Sequence, residues 1–158
     1  MRAQAEKLTH DLAKRFPEDT IVHVNYLPTI QAQLALSDGN PLKAVELLQA
    51  TTPYELGELI SSFHTSLYPV YLRGRAYLAA HRGNAAAAEF QKILYQRGIV
   101  FNEPIGALAR LGLGRAYVLQ GDSAKARTAY EEFLTLWKDA EPEIPILQQA
   151  EAEYAKLK

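Results

Sequence analysis

Arg110-Leu-Gly-Leu-Gly-Arg-Ala-Tyr-Val-Leu-Gln-Gly-Asp-Ser-Ala-Lys-Ala-Arg-Thr-Ala-Tyr-Glu-Glu-Phe-Leu-Thr-Leu-Trp137 reads as two helices joined by a turn at Gly121 and Asp122. In its first half Leu111, Leu113, Val118 and Leu119 fall on overlapping helical faces, and Gly114 and Ala116 leave room for a close neighbour. In its second half Ala126, Ala129, Tyr130, Phe133, Leu134 and Trp137 recur at steps of three and four, the helical period. Gly121 can take a left-handed stop, and Asp122 or Ser123 can cap the helix that follows. The stretch predicts an antiparallel helical hairpin.

The hairpin recurs. Gly74-Arg-Ala-Tyr77 aligns with Gly114-Arg-Ala-Tyr117 at an offset of 114 − 74 = 40. The same offset pairs Ala86 with Ala126, Phe90 with Tyr130, Ile93 with Phe133 and Leu94 with Leu134. A weaker copy surrounds Gly39, with Ala32, Ala35, Ala44 and Leu48 in the places of Gly114, Tyr117, Ala126 and Tyr130. Repetition at this scale predicts a stacked helical solenoid.

The spacing Leu113-Gly114-x-x-Tyr117 followed by Ala126-x-x-x-Tyr130 resembles the tetratricopeptide pattern of Leu-Gly-x-x-Tyr and Ala-x-x-x-Phe. Arg110 stands where that pattern has Trp and Lys138 where it has Pro. The period of 40 exceeds the usual 34 because of the connector after Tyr95. A second resemblance covers nearly the whole chain. Asn25-Tyr-Leu-Pro-Thr-Ile30, Pro53-Tyr-Glu-Leu-Gly57, Ala87-Ala-Glu-Phe-Gln-Lys-Ile93, Arg97-Gly-Ile-Val100, Gly106-Ala-Leu-Ala109, Asp122-Ser-Ala-Lys-Ala-Arg127 and Leu134-Thr-Leu-Trp-Lys-Asp139 look like the C-terminal repeat region of acidobacterial serine/threonine protein kinases. That resemblance implies a module from a larger signalling protein.

The expected architecture is all-α: an α-solenoid of antiparallel, tetratricopeptide-like hairpins forming one domain over residues 1–158. The repeat units are about 20–50, 68–97 and 103–138. A leading half-repeat helix precedes them, and a capping helix at 145–157 closes the array. Ala3 to Phe16 is the leading helix, with Ala5, Leu8, Leu12 and Phe16 on one face and Pro17 as its stop; its spacing resembles a second repeat helix whose mate lies before Met1. Glu18, Asp19 and Thr20 favour a helix start. The next helix runs to Leu36 through Pro28, where a kink is expected. Ala50 to Tyr68 is too apolar for a free linker and too interrupted for a helix, and predicts a partly helical connector packed on the body. Gly98 to Asn102 is an elbow. In the last helix Ile146, Leu147, Ala150, Tyr154 and Leu157 form one stripe that covers the open end of the core.

The composition is that of a folded protein. Of 158 residues 48% are hydrophobic and 22% charged, enough to bury about 70% of the unfolded surface. A formal net charge of −1 gives no general pull toward nucleic acid or anionic lipid. The chain has no cysteine, which excludes disulfides and thiolate metal sites. No apolar core of a signal peptide follows Met1, and no run approaches a membrane span. Localisation stays open between the cytoplasm and, where an upstream anchor exists, an extracytoplasmic side.

Chemistry-bearing motifs are missing. His10, His23, His64 and His81 lie on separate elements and no two share an i, i+4 step. Ser61, Ser62, His64 and Ser66 are close in sequence but lack a spaced acid and a nucleophile elbow. Gly112-Leu-Gly114 begins like a dinucleotide fingerprint, yet Tyr117 occupies the third glycine place and no strand precedes it. There is no His-Arg-Asp, no Asp-Phe-Gly and no phosphate loop. No catalytic residue, metal or cofactor is expected, and the segment reads as non-enzymatic whatever its parent does.

A binding surface remains. In tetratricopeptide stacks the first helix of each hairpin lines a concave groove, and the resemblance assigns Gln33, Arg75 and Arg115 to it, one per hairpin. Tyr26, Tyr68, Tyr71, Leu72, Leu108 and Leu111 fall on the same side in the preceding turn. Arginine and tyrosine favour binding hot spots, and an acidic or C-terminal carboxylate peptide suits two stacked arginines. The family's chaperone-binding members use an asparagine and lysine clamp, from which these three positions depart. For each residue singly the competing reading is structural, with the arginines paired to a neighbouring helix and the tyrosines in the core. Three functions follow: a protein- or peptide-binding module that regulates or scaffolds an attached kinase or related signalling domain; a self-association module meeting a second copy through the array ends or the Tyr54 to Tyr68 connector; and an unrecognised enzyme or small-molecule sensor, which a ligand buried in the groove or a pocket with converging polar groups would favour.

Overall fold

The computed structural model describes residues 2–56, 67–100 and 103–157, and among these every regular element is helical. Helix α1 (Arg2–Arg15) ends ahead of Pro17. Asp19 Oδ1 accepts the backbone N–H of Val22 (3.0 Å) and so serves the helix start that its acidic neighbourhood favours. A π-helical turn, Val22–Tyr26, then leads into α2 (Leu27–Ser37). Pro28 cannot donate to an upstream carbonyl, and the wide turn just before it reassigns the hydrogen-bond ladder so that the helix continues. The Thr29 hydroxyl donates to the Asn25 carbonyl (2.6 Å).

Helix α3 (Pro41–Leu47) passes into a 3₁₀ segment, Leu48–Tyr54. This is the root of the expected connector; its remainder, 57–66, lies outside the described residues. Helices α4 (Tyr68–Ala79) and α5 (Gly83–Tyr95) follow. A four-residue helix, α6 (Arg97–Val100), opens the expected elbow, whose last two residues, 101–102, lie outside the described residues. Then come α7 (Ile105–Gln120), α8 (Ser123–Leu136) and α9 (Pro145–Ala155). Consecutive helices pair as α2 with α3, α4 with α5, and α7 with α8; each first helix also meets the next (α2 with α4, α4 with α7), and α8 meets α9.

The three turns are built alike. Gly39 (φ 73°), His81 (φ 55°) and Gly121 (φ 75°) are left-handed. The residue after each donates its N–H back to the same helical position: Asn40 to Ala35 (2.9 Å), Arg82 to Tyr77 (2.8 Å) and Asp122 to Tyr117 (3.0 Å). The left-handed residues themselves donate to Leu36, Leu78 and Val118, each at 3.0 Å. These paired bonds satisfy carbonyls that a helix end leaves open and reverse the chain within three residues. Positions 81 and 121 differ by 40, the repeat offset.

Packing repeats as well. A Cβ on Gly74 would come within 2.7 Å of the Phe90 ring, and one on Gly114 within 2.9 Å of the Tyr130 ring. Glycine on the first helix therefore receives the aromatic ring of the second in both hairpins. Phe90 also lies against Gly112, where a Cβ would be 2.5 Å from its Cζ. Among the described residues the core forms three apolar clusters: Ala32, Ala44, Leu48 and Leu72 in the first; Val70, Phe90, Ile93 and Ala116 in the second; Leu111, Phe133, Leu147 and Ala150 in the third. Leu147 and Ala150 of α9, with Ile146, Tyr154 and Leu157 packed beside them, cover the end of the last cluster.

Candidate peptide-binding face

Helices α2, α4 and α7 carry the residues assigned to the groove. Arg75, exposed on α4, donates through Nη1 to Gln33 Oε1 on α2 (3.2 Å). Its Cζ lies 6.0 Å from the Tyr71 ring centroid, within cation–π range. Tyr71 is half-buried and tilts against Phe90 with ring centroids 6.0 Å apart. Burial raises the Tyr71 hydroxyl above its usual pKa, partly offset by the positive charges of Arg75 and Arg115. Gln33, Arg75, Tyr71 and Arg115 are thus brought together across three helices.

The two arginines are not equivalent. Arg115 Nε donates to Glu153 Oε2 (2.8 Å) and Nη2 to Oε1 (3.0 Å), a forked pair with the capping helix. The Tyr130 hydroxyl donates to the same carboxylate (2.7 Å), so burial and Glu153 hold its pKa well above the usual tyrosine value. Arg115 therefore works as a strap for α9. Arg75 has no acidic partner among the described residues.

Other assigned residues lie elsewhere. Leu72 (5% exposed) and Leu111 (1%) are core side chains and offer no surface to a partner. Leu108 is partly buried against the third cluster. The Tyr68 hydroxyl donates to Glu103 (3.1 Å), and Tyr26, at the end of the π turn, is 37% exposed. The serines and histidine of 61–66 lie outside the described residues. Among the described residues no three His, Asp or Glu side chains gather as metal ligands, and no helix is long and apolar enough to cross a membrane.

A buried ionic cluster was not expected. Arg73, 4% exposed, donates to Glu55 Oε1 (2.5 Å), to Glu89 Oε2 (2.6 Å) and to the Leu48 carbonyl (3.2 Å). Lys92 closes the cluster on Glu55 Oε2 (2.8 Å), and Thr51 adds a hydroxyl to Glu55 (3.1 Å). Burial alone would raise the Glu55 carboxyl, but the donors of Arg73 and Lys92 outweigh it and hold the group below the usual range. The same carboxylates push the Arg73 guanidinium higher against its own desolvation. The cluster ties the root of the connector to α4 and α5. A signal for it existed: Arg73 occupies the repeat position at which the third hairpin has Leu113, a core residue.

No protein-family model matches the chain, and no curated protein and no solved structure is significantly similar to it.

Proposed function

We propose that this chain is a non-catalytic, tetratricopeptide-like repeat module that binds a protein or peptide segment across α2, α4 and α7, as the regulatory or scaffolding part of a bacterial serine/threonine kinase or related signalling protein. Three hairpins with matching turns and two matching glycine-to-ring contacts support the repeat reading. One observation carries the binding reading: Arg75 is exposed, flanked by the neutral Gln33 and the Tyr71 ring, and has no carboxylate beside it among the described residues. A guanidinium held open in this way offers a fork to a carboxylate. Because Arg115 is already occupied by Glu153, the anchor is a single acidic group at Arg75, in place of the two stacked arginines that the sequence suggests.

The test is a selection from displayed random peptides against the purified chain, followed by affinity measurement of the peptides obtained. These should share an acidic or C-terminal carboxylate group. Arg75→Glu should weaken them about tenfold or more with helical circular dichroism unchanged. Equal binding by the variant places the site off this face. Self-association is the second reading, supported by Leu8 of α1, 60% exposed, beside an open cleft lined by Ala5, Leu12 and Ile30. Sedimentation over a concentration series decides it.

A further inference from the structure

A cleft of about 510 Å³ opens where the end of α5, the short α6, the first turns of α7 and the end of α8 converge. Its size falls in the range of small-molecule sites. Leu94, Ala107, Leu136 and Trp137 supply accessible apolar wall, and three charged side chains, Arg97, Glu103 and Arg110, reach it. Two of these are engaged. Arg110 donates to the Gly106 carbonyl (2.9 Å) and faces Glu132 (3.4 Å). Glu103 accepts the Tyr68 hydroxyl (3.1 Å). Arg97 lines the cleft, is exposed, and has no acidic partner among the described residues. Leu136, 57% exposed, and the half-buried Trp137 leave hydrocarbon and indole surface open in the same cleft.

We propose that this cleft binds a small amphipathic monocarboxylate, with its apolar body against Trp137, Leu136 and Leu94 and its carboxylate on the Arg97 guanidinium. A neutral apolar ligand would leave the Arg97 fork unused, and a small polar anion would leave the wall wet. A ligand carrying both features satisfies both. The site is separate from the Arg75 face and does not depend on it.

Trp137 is the chain's single tryptophan, so all tryptophan emission comes from a residue that lines this cleft. The probe is octanoate, titrated below its micelle concentration and followed by Trp137 fluorescence and by calorimetry, with octanol as the body without the charge. Saturation is expected with a half-point of about 1 mM or lower. Octanol should bind about tenfold more weakly. Arg97→Gln, at an exposed position, should bring octanoate down to the octanol level, while Arg75→Glu should leave both curves unchanged. The proposal fails if octanoate saturates neither signal. It also fails if octanol matches octanoate or if Arg97→Gln changes nothing, results that mark general apolar partitioning.

Discussion

Replacing Arg73 by leucine, the residue that the third hairpin carries at this position, tests whether the buried cluster is held by charge or by shape. Four groups, Arg73, Lys92, Glu55 and Glu89, balance to zero. Without the guanidinium, Glu55, its side chain 2% exposed, keeps only Lys92 and Thr51, and Glu89 keeps Lys92 at 3.8 Å. Stranding a buried charge in this way costs about 3–5 kcal/mol, against which the leucine regains part of the lost apolar contact. The loss should therefore be a large fraction of the total stability.

The pH dependence distinguishes the causes. In the native chain Glu55 has a lowered pKa, so its contribution is present above the unfolded carboxylate value of about 4.3 and is lost as the pH falls through the folded value. In Arg73→Leu the burial that opposes ionisation is no longer outweighed, and the carboxyl rises. Its penalty is then present at neutral pH and relieved on acidification. Urea unfolding at pH 7 and pH 5 reads this directly: the gap between native chain and variant should narrow at pH 5, and Arg73→Leu with Glu55→Gln should recover part of the loss at pH 7. A pH-independent gap, or a cost under about 1 kcal/mol, would refute the charge argument.

Three further outcomes follow. His81 holds a left-handed backbone that glycine occupies in the other two turns, so His81→Gly should stabilise by about 0.5–1 kcal/mol, raising the melting temperature by about 1–3 °C; a fall would show that the histidine side chain contributes more than the strain costs. Gly112→Ala drives a Cβ to 2.5 Å from Phe90, a ring with no exposed surface, and should cost about 1–3 kcal/mol by overpacking in chemical denaturation, whereas Gly98→Ala, with nothing within 4 Å, should be nearly neutral. Glu153→Gln removes the carboxylate shared by Arg115 and Tyr130, and hydrogen exchange should quicken in α9 before it does in α4 and α5; uniform quickening would mean that α9 is no separate cap.

The hairpins were legible because their signals are local. A left-handed glycine, a capping aspartate and a small residue four positions from an aromatic all lie within one or two helical turns. Asp122 illustrates this, accepting the Lys125 N–H (3.1 Å) as its position suggests. What escaped depends on distance in sequence. Glu153 reaches Arg115 across 38 positions, and no periodic pattern names that partner, so two arginines at matching repeat positions looked equivalent until α9 was placed. Leu72 and Leu111 were assigned to the face by analogy of turn, but they sit where α2 meets α4 and α7 meets α8. The second turn, expected at His81 to Asn84, is legible from its place between the two helices even though His81 stands where the other two turns have glycine. Arg73 hid a core position, because a charged residue there reads as surface until its two carboxylates are seen.

Phe90 sits between Gly74 of one hairpin and Gly112 of the next, with ring atoms where either glycine's Cβ would be. Such a ring acts as a key in a slot. Sliding α7 along α4 would carry backbone into the ring on one side or open a void on the other, and close-packed interiors tolerate neither. The second and third hairpins therefore move as one stiff body.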